Sequence, residues 1–203
     1  MHLVCLDLEG VLVPEIWMTF AEKVAVPELA RTTRDEPDYD KLMQYRMHLL
    51  KKNELSLPDI NRVIASMQPL PGASDFLVDL RQNYQVIILS DTFYEFAMPL
   101  MQQLSYPVLF CHSLVADEQG KVTDYRLRMP NQKREAVKRF KQINFKVIAA
   151  GDSYNDTAML QEADAGIFYL APENVLLEFP QFPGTTTYTE LRAKIDQASA
   201  SFK

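Results

Sequence analysis

Apolar and polar positions follow two different rhythms along this chain, and the switch between them divides it. His2 to Leu6 is an apolar run of strand length that leads directly into acidic residues. From Pro14-Glu15 to about Val24 the pattern becomes helical, with Ile16, Phe20 and Val24 on one face. A polar, Pro-containing segment from Arg31 to Pro37 follows, and then helical patterns over Tyr39–Lys52 and Ser56–Met67. Ser56 with Asp59 three residues later predicts an N-terminal cap, and Pro58 is tolerated in a first turn. Three helices are therefore expected across positions 14 to 68, with no strand among them.

After Pro71-Gly72 helix and strand alternate. The pattern predicts a helix over 73–83, a strand over 85–89, a helix over 93–104 carrying Pro99, and a strand over 107–111. Leu114–Ala116 and Val122–Leu127 flank Asp117-Glu118-Gln119-Gly120 as a β-hairpin. A helix over 131–142, a strand over 145–150, a helix over 155–163, a strand over 166–170 and a terminal helix from Thr189 complete the reading. Strands separated by helices imply a parallel sheet with right-handed crossovers. The expected fold is α/β, a doubly wound parallel sheet made of residues 1–13 and 70–203, with a small helical cap, 14–69, inserted after the first strand. Such an insertion lies above the end of that strand, where it can exclude water and select a substrate.

Composition narrows the class. At 203 residues and 47% hydrophobic, the chain can bury a sizeable core. A net charge of −6 offers no basic stripe for a polyanion, so nucleic acid is not expected as a partner. An anionic small-molecule substrate would need a few placed cations or a metal. Cys5 and Cys111 lie in apolar runs, without a CxxC companion or a His/Cys cluster, and read as buried thiols. The N-terminal residues lack the features of a signal peptide, and no run approaches the roughly 20 apolar residues of a membrane span. A cytoplasmic location is expected, as a monomer or homodimer.

Four separated stretches carry the candidate chemistry: Asp7-Leu8-Glu9-Gly10-Val11, Ser90-Asp91-Thr92, Lys133, and Gly151-Asp152-Ser153-Tyr154-Asn155-Asp156. The first, second and fourth follow expected strands, and parallel sheets build sites outside those ends. Asp7 is the candidate nucleophile, since a carboxylate can attack phosphorus and divide one displacement into two. Glu9 is placed to give and then take a proton. Hard oxygen ligands suit Mg²⁺, which points to the side chains of Asp7 and Asp152 with the backbone carbonyl of Glu9. Asp156 is assigned to steer Lys133, and Ser90 and Lys133 to hold phosphoryl oxygens. Singly, helix capping or a solvated helix face would account for each residue; jointly, those explanations do not.

This ordered set resembles the haloacid dehalogenase superfamily of phosphotransferases, and the resemblance spans the chain. The helical insertion after the first motif, and Gly151 to Asp156 as the last, are similar to its phosphoserine phosphatase branch. Asp7 through Trp17, Leu89 through Phe96 and Ala171-Pro-Glu-Asn-Val175 resemble the bifunctional members that also transfer phosphate to homoserine. The resemblance implies a Rossmann-like core, an aspartyl phosphate and Mg²⁺. It also implies that Glu15 meets the substrate ammonium and Arg46 its carboxylate, with Asn155 and Asp91 near the phosphate. Met43 and Phe20 are expected to pack the lid. In the wider superfamily the second acid is usually Asp; Glu9 adds one methylene, about 1.5 Å of reach, where geometry must hold to about half an ångström.

Overall fold

The computed structural model describes residues 1–32, 35, 36 and 38–202, so Thr33, Arg34 and Pro37 of the polar Arg31 to Pro37 segment lie outside the described residues. Seven strands form one sheet: β1 (His2–Leu6), β2 (Gln85–Phe93), β3 (Val108–Ala116), β4 (Val122–Arg126), β5 (Lys146–Gly151), β6 (Ala165–Tyr169) and β7 (Gly184–Thr185). Their spatial order is β4-β3-β2-β1-β5-β6-β7, parallel throughout except for β4. The helices are α1 (Ile16–Lys23), α2 (Tyr39–Lys52), α3 (Leu57–Ala65), α4 (Ala73–Arg81), α5 (Tyr94–Gln103), α6 (Gln132–Gln142), α7 (Thr157–Glu162), α8 (Glu173–Glu178) and α9 (Tyr188–Ser201).

Strand β1 explains the layering. Its neighbours along the backbone point to opposite faces, so Val4 and Leu6 join one apolar cluster while Leu3 and Cys5 join another. The first cluster takes Phe76 and Leu80 of α4, Leu100 of α5 and Leu191 and Ile195 of α9. The second takes Val137 of α6, Met159 and Leu160 of α7 and Val175 of α8. Helices on both faces make the sheet doubly wound, as expected, and bury β1 on each side. Cys5 and Cys111 are both buried free thiols.

Helices α1 to α3 all fall between β1 and β2, and their apolar faces, including Phe20, Met43, Ile60 and Ile64, continue the first cluster. The chain leaves for this excursion and returns at one place, where the Leu70 amide donates to the Leu12 carbonyl at 2.9 Å. Ser56 and Asp59 form the expected capping box on α3. The turn of the β3–β4 hairpin reaches these helices: the Leu57 amide donates to the Gly120 carbonyl at 2.7 Å, and the Tyr125 hydroxyl bonds Asp40.

Three local expectations are corrected. Strand β2 runs on through Ser90 to Phe93 after an irregularity, instead of ending at Leu89. Strand β3 is continuous from Val108 to Ala116, so the first arm of the hairpin is the extension of an interior strand. The helix expected from 155 begins as a 3-10 turn, Tyr154–Asp156, because Asp156 folds back onto the amides that precede it. A 3-10 turn at Pro27–Ala30, the short helix α8 and the two-residue β7 were not anticipated. Among the described residues no helix is long and apolar enough to cross a membrane.

Candidate active site

The carboxyl ends of β1, β2 and β5 are adjacent because Leu6 pairs with Ile88 on one side and Ala150 on the other. Asp7 is fixed there by its amide, which donates to the Ala150 carbonyl at 2.9 Å. The residue is 3% exposed, and Oδ1 accepts from the Leu8 amide at 2.7 Å and from Lys133 Nζ at 2.9 Å. Burial, followed by the negative charge of Asp156, pushes the Asp7 carboxyl well above its ordinary range against the pull of Lys133.

Gly10 makes the turn after Asp7 possible. Its φ of +75° is open to glycine at little cost, and a β-carbon there would lie 2.5 Å from the Asp152 carboxylate. The turn carries Glu9 back toward α1, where Oε2 accepts from the Ile16 amide at 2.8 Å. Burial and then the nearby Glu15 push Glu9 up to about 7, opposed by the Ile16 amide and Arg46. The extra methylene of a glutamate is what spans this distance to a helix terminus.

The irregularity in β2 displaces Ser90, Asp91 and Thr92 from regular pairing, since Leu89 pairs with Phe110 and Phe93 with His112. Gln132 at the start of α6 donates to the Ser90 carbonyl, and the next residue, Lys133, enters the site. Lys133 is buried, not on a solvated face: Nζ lies 2.8 Å from Asp156, 2.9 Å from Asp7 and 3.6 Å from Asp91. Burial lowers its pKa, but Asp156, Asp7 and Asp91 together outweigh that and raise it well above the lysine norm. Asp91 is itself pushed up by burial, yet Lys133 and the hydrogen bonds of His112 and Gln132 hold it below the usual carboxylate range. The Arg128 amide donates to His112 Nδ1, which leaves Nε2 as the protonated nitrogen facing Asp91 at 3.7 Å.

Asp156 is fully buried and fully engaged, with Oδ1 on Lys133 and Oδ2 accepting from the Asp152 and Ser153 amides. Asp152 is left facing the cavity. Burial, then Asp156 and Glu15, push it up to about 7. Oxygens of Asp7, Asp152 and Asp156 lie within 4.8 Å of one another, an arrangement of hard ligands that could hold a divalent cation. Two excess carboxylates around one ammonium, and the protons they would otherwise retain, fit such an ion.

A cavity of about 350 Å³ joins these groups to the inserted helices. Asp7, Glu9, Ser90, Asp91, Lys133, Asp152 and Asn155 line its sheet side, and Glu15 and Arg46 its helical side. Asp156 stands behind Lys133. Glu15 is exposed and immediately precedes α1 without capping it, while Arg46 is buried, not an exposed helix charge. Asn155 is exposed and reaches Asp91 at 3.4 Å. Met43 and Phe20 pack inside the apolar cluster. Trp17, Tyr39 and Thr92 also line the cavity, and His112 and Gln132 support it from behind; the sequence analysis assigned a role to none of these five, although Thr92 and Trp17 lie in stretches quoted there. For Gln132 the signal was adjacency to Lys133; for His112, inside an apolar strand, none existed.

A haloacid dehalogenase-like hydrolase family profile matches residues 1–164. A protein of Pseudomonas aeruginosa named phosphoserine phosphatase ThrH is 55% identical over 200 residues, covering 98% of both chains. A phosphoserine phosphatase of Pseudomonas syringae pv. tomato is 54% identical over 198 residues, 98% of this chain and 84% of that one. Among solved structures, a phospho-aspartyl intermediate analogue of a phosphoserine phosphatase superposes with a TM-score of 0.73 at 23% identity, covering 87% of this chain and 90% of the other. Motif order, doubly wound sheet and profile agree, and this chain belongs to the haloacid dehalogenase-like hydrolase family.

Proposed function

We propose that this protein is a phosphoserine phosphatase that works through a phosphorylated Asp7 and also passes the phosphoryl group to homoserine. The observation that carries the reading is one cavity with a buried Asp7–Lys133 pair on its floor and the acid–base pair Glu15 and Arg46 on its roof. Such a cavity is complementary to a small molecule bearing phosphate, ammonium and carboxylate. The relatives that cover nearly the whole chain carry the same name.

In this reading, residues 14–69 are a cap over a core of 1–13 and 70–203. Arg46 takes the substrate carboxylate and Glu15 its ammonium, which aims the phosphate at Asp7. Among the described residues, protein donors reach Oδ1 of Asp7 but not Oδ2, so Oδ2 attacks phosphorus. The bond to the serine oxygen breaks as Glu9 donates its proton, giving serine and an acyl phosphate on Asp7. Glu9 then removes a proton from water, or from the homoserine hydroxyl, as that oxygen attacks phosphorus and frees Asp7. A carboxyl group poised near 7 serves both directions at neutral pH. Lys133 and Ser90 hold the phosphoryl oxygens, Asp156 keeps Lys133 charged and in place, and Asp91 and Asn155 complete the rim. The side chains of Asp7 and Asp152, with the Glu9 carbonyl, would hold Mg²⁺, which supplies charge neutralisation on the transferring group. Small water-soluble substrates of this kind suit work in the cytoplasm.

The test is product analysis with O-phospho-L-serine, alone and with homoserine. Phosphate release, phosphohomoserine formation and loss of both in Asp7→Asn are expected. An Asp7→Asn protein with wild-type turnover would overturn the covalent route.

A further inference from the structure

Arg46 is a buried cation without a carboxylate partner. Its Nη2 donates to the Arg31 carbonyl at 2.7 Å and Nη1 approaches Met43 Sδ at 3.9 Å, while Nε is buried with no acceptor. Among the described residues it enters no ion pair. Glu9 and Glu15 act on its charge without reaching it as ion pairs, and burial still lowers its pKa, so a direct counter-ion is left for a ligand carboxylate to supply. One good hydrogen bond does not by itself set the plane of the group.

The missing constraint is an aromatic face. The guanidinium carbon lies 4.4 Å over the Trp17 ring. Trp17 is in turn held edge-to-face by Phe96 at 5.0 Å and Phe20 at 6.2 Å, both buried, so its plane is set by the apolar cluster. Trp17 also lines the cavity.

We propose that Trp17 is a specificity-determining positioning residue: its ring sets the plane of the Arg46 guanidinium so that the group meets a ligand carboxylate from the cavity wall. This rests on the reading above that Arg46 receives the substrate carboxylate. The ring packs against Arg46, Phe20 and Phe96, none of them a group assigned to the phosphate, so its effect is on carboxylate recognition. An aliphatic side chain of similar bulk would fill the space but offer no π face to the cation.

The test compares Trp17→Leu and Trp17→Phe on O-phospho-L-serine and on O-phosphoethanolamine, which keeps the phosphate and ammonium but lacks the carboxylate. In Trp17→Leu, KM for phosphoserine should rise about tenfold with kcat within about twofold, and kcat/KM for phosphoethanolamine should also stay within about twofold. Trp17→Phe, which retains a ring, should fall between. Equal losses on both substrates, or an unchanged phosphoserine KM, would refute the role. A second readout needs no turnover: Trp17 is the sole tryptophan of the chain, so its emission in EDTA reports on its own site. Phosphoserine or L-serine should change that emission saturably, phosphoethanolamine should not, and Arg46→Ala should abolish the response. The same response to phosphoethanolamine, or its survival in Arg46→Ala, would count against the proposal. If the wild type hydrolyses no phosphoserine, the functional reading falls, and the fluorescence titration with L-serine still decides whether Trp17 and Arg46 form a carboxylate site.

Discussion

Lys133 Nζ stands 2.8 Å from Asp156 Oδ1, with Asp156 fully buried and Lys133 open only at the cavity floor. The pair is the inner end of a chain that continues to Asp7 and Asp91, so one ammonium restrains three carboxylates. Breaking a buried ion network from one side leaves uncompensated charge. Lys133→Met should therefore cost roughly 3–5 kcal/mol of stability and lower the melting temperature by about 10 °C, besides abolishing turnover. Thermal denaturation followed by circular dichroism checks this; an unchanged melt would show that the carboxylates are not held in place by the lysine.

Gly10 gives a sharper separation of strain from chemistry. Gly10→Ala combines a positive φ with a β-carbon 2.5 Å from Asp152, so Asp152 must move. Activity should fall about 100-fold, the scale of a roughly 1 Å misplacement. Gly72→Ala is the control: its φ of +85° is equally unfavourable, but its nearest contact is Tyr188 at 3.4 Å, which does not line the cavity. It should lower stability and leave kcat/KM intact.

The acid cluster makes stability depend on pH in an unusual direction. Without metal, the folded protein keeps protons on Glu9 and Asp152 to about pH 7, whereas the unfolded chain loses them in the ordinary carboxylate range. Their stabilising contribution is full below that range and disappears as pH rises through about 7. The melting temperature of EDTA-treated protein should thus fall by roughly 5 °C between about pH 5.5 and 8, and Mg²⁺ at the higher pH should restore it. Asp91, shifted the other way, loses its contribution only at pH values below this window. A metal-free melt that rises with pH would contradict the assignment.

Thr92 should dissociate stability from activity. Its hydroxyl is buried and close enough to Glu9 to help hold that carboxyl's pKa down, but it lacks a partner in full hydrogen-bond geometry. Removing an unsatisfied buried hydroxyl is neutral or stabilising, so Thr92→Val should melt at or slightly above the wild-type temperature. If the hydroxyl steadies Glu9 once substrate is bound, kcat should drop about tenfold and Thr92→Ser should recover most of it. A Val variant with full kcat would assign Thr92 to packing alone.

Most elements were legible because their periodicities run long enough to count. The helix over Tyr39–Lys52 has the predicted bounds, and β1 does too. The two residues of β7 and the six of α8 are too short to show a period. The course of β3 was hidden by His112 and Ser113, polar residues that look like a strand's end in sequence but sit within it. On the site, Asp7, Glu9, Ser90, Lys133 and Asp152 could be singled out because each adjoins a strand end, a turn glycine or a helix start. Trp17, Tyr39 and His112 could not, since an aromatic at helical spacing or a histidine in an apolar run carries no mark of what lies across the cavity.

The amide-to-carbonyl link between Leu70 and Leu12 has a bearing on how the chain reaches its native form. Strands β1 and β2 are neighbours in the sheet but distant in sequence, and their pairing carries the entropic penalty of a long intervening loop. When the helical excursion closes on itself first, most of that loop is bypassed, and each halving of its effective length lowers the penalty by about 0.6 kcal/mol. Closure between Leu70 and Leu12 thereby converts a long-range contact into a short-range one, and a protein whose helical excursion cannot close there should assemble its central strands more slowly.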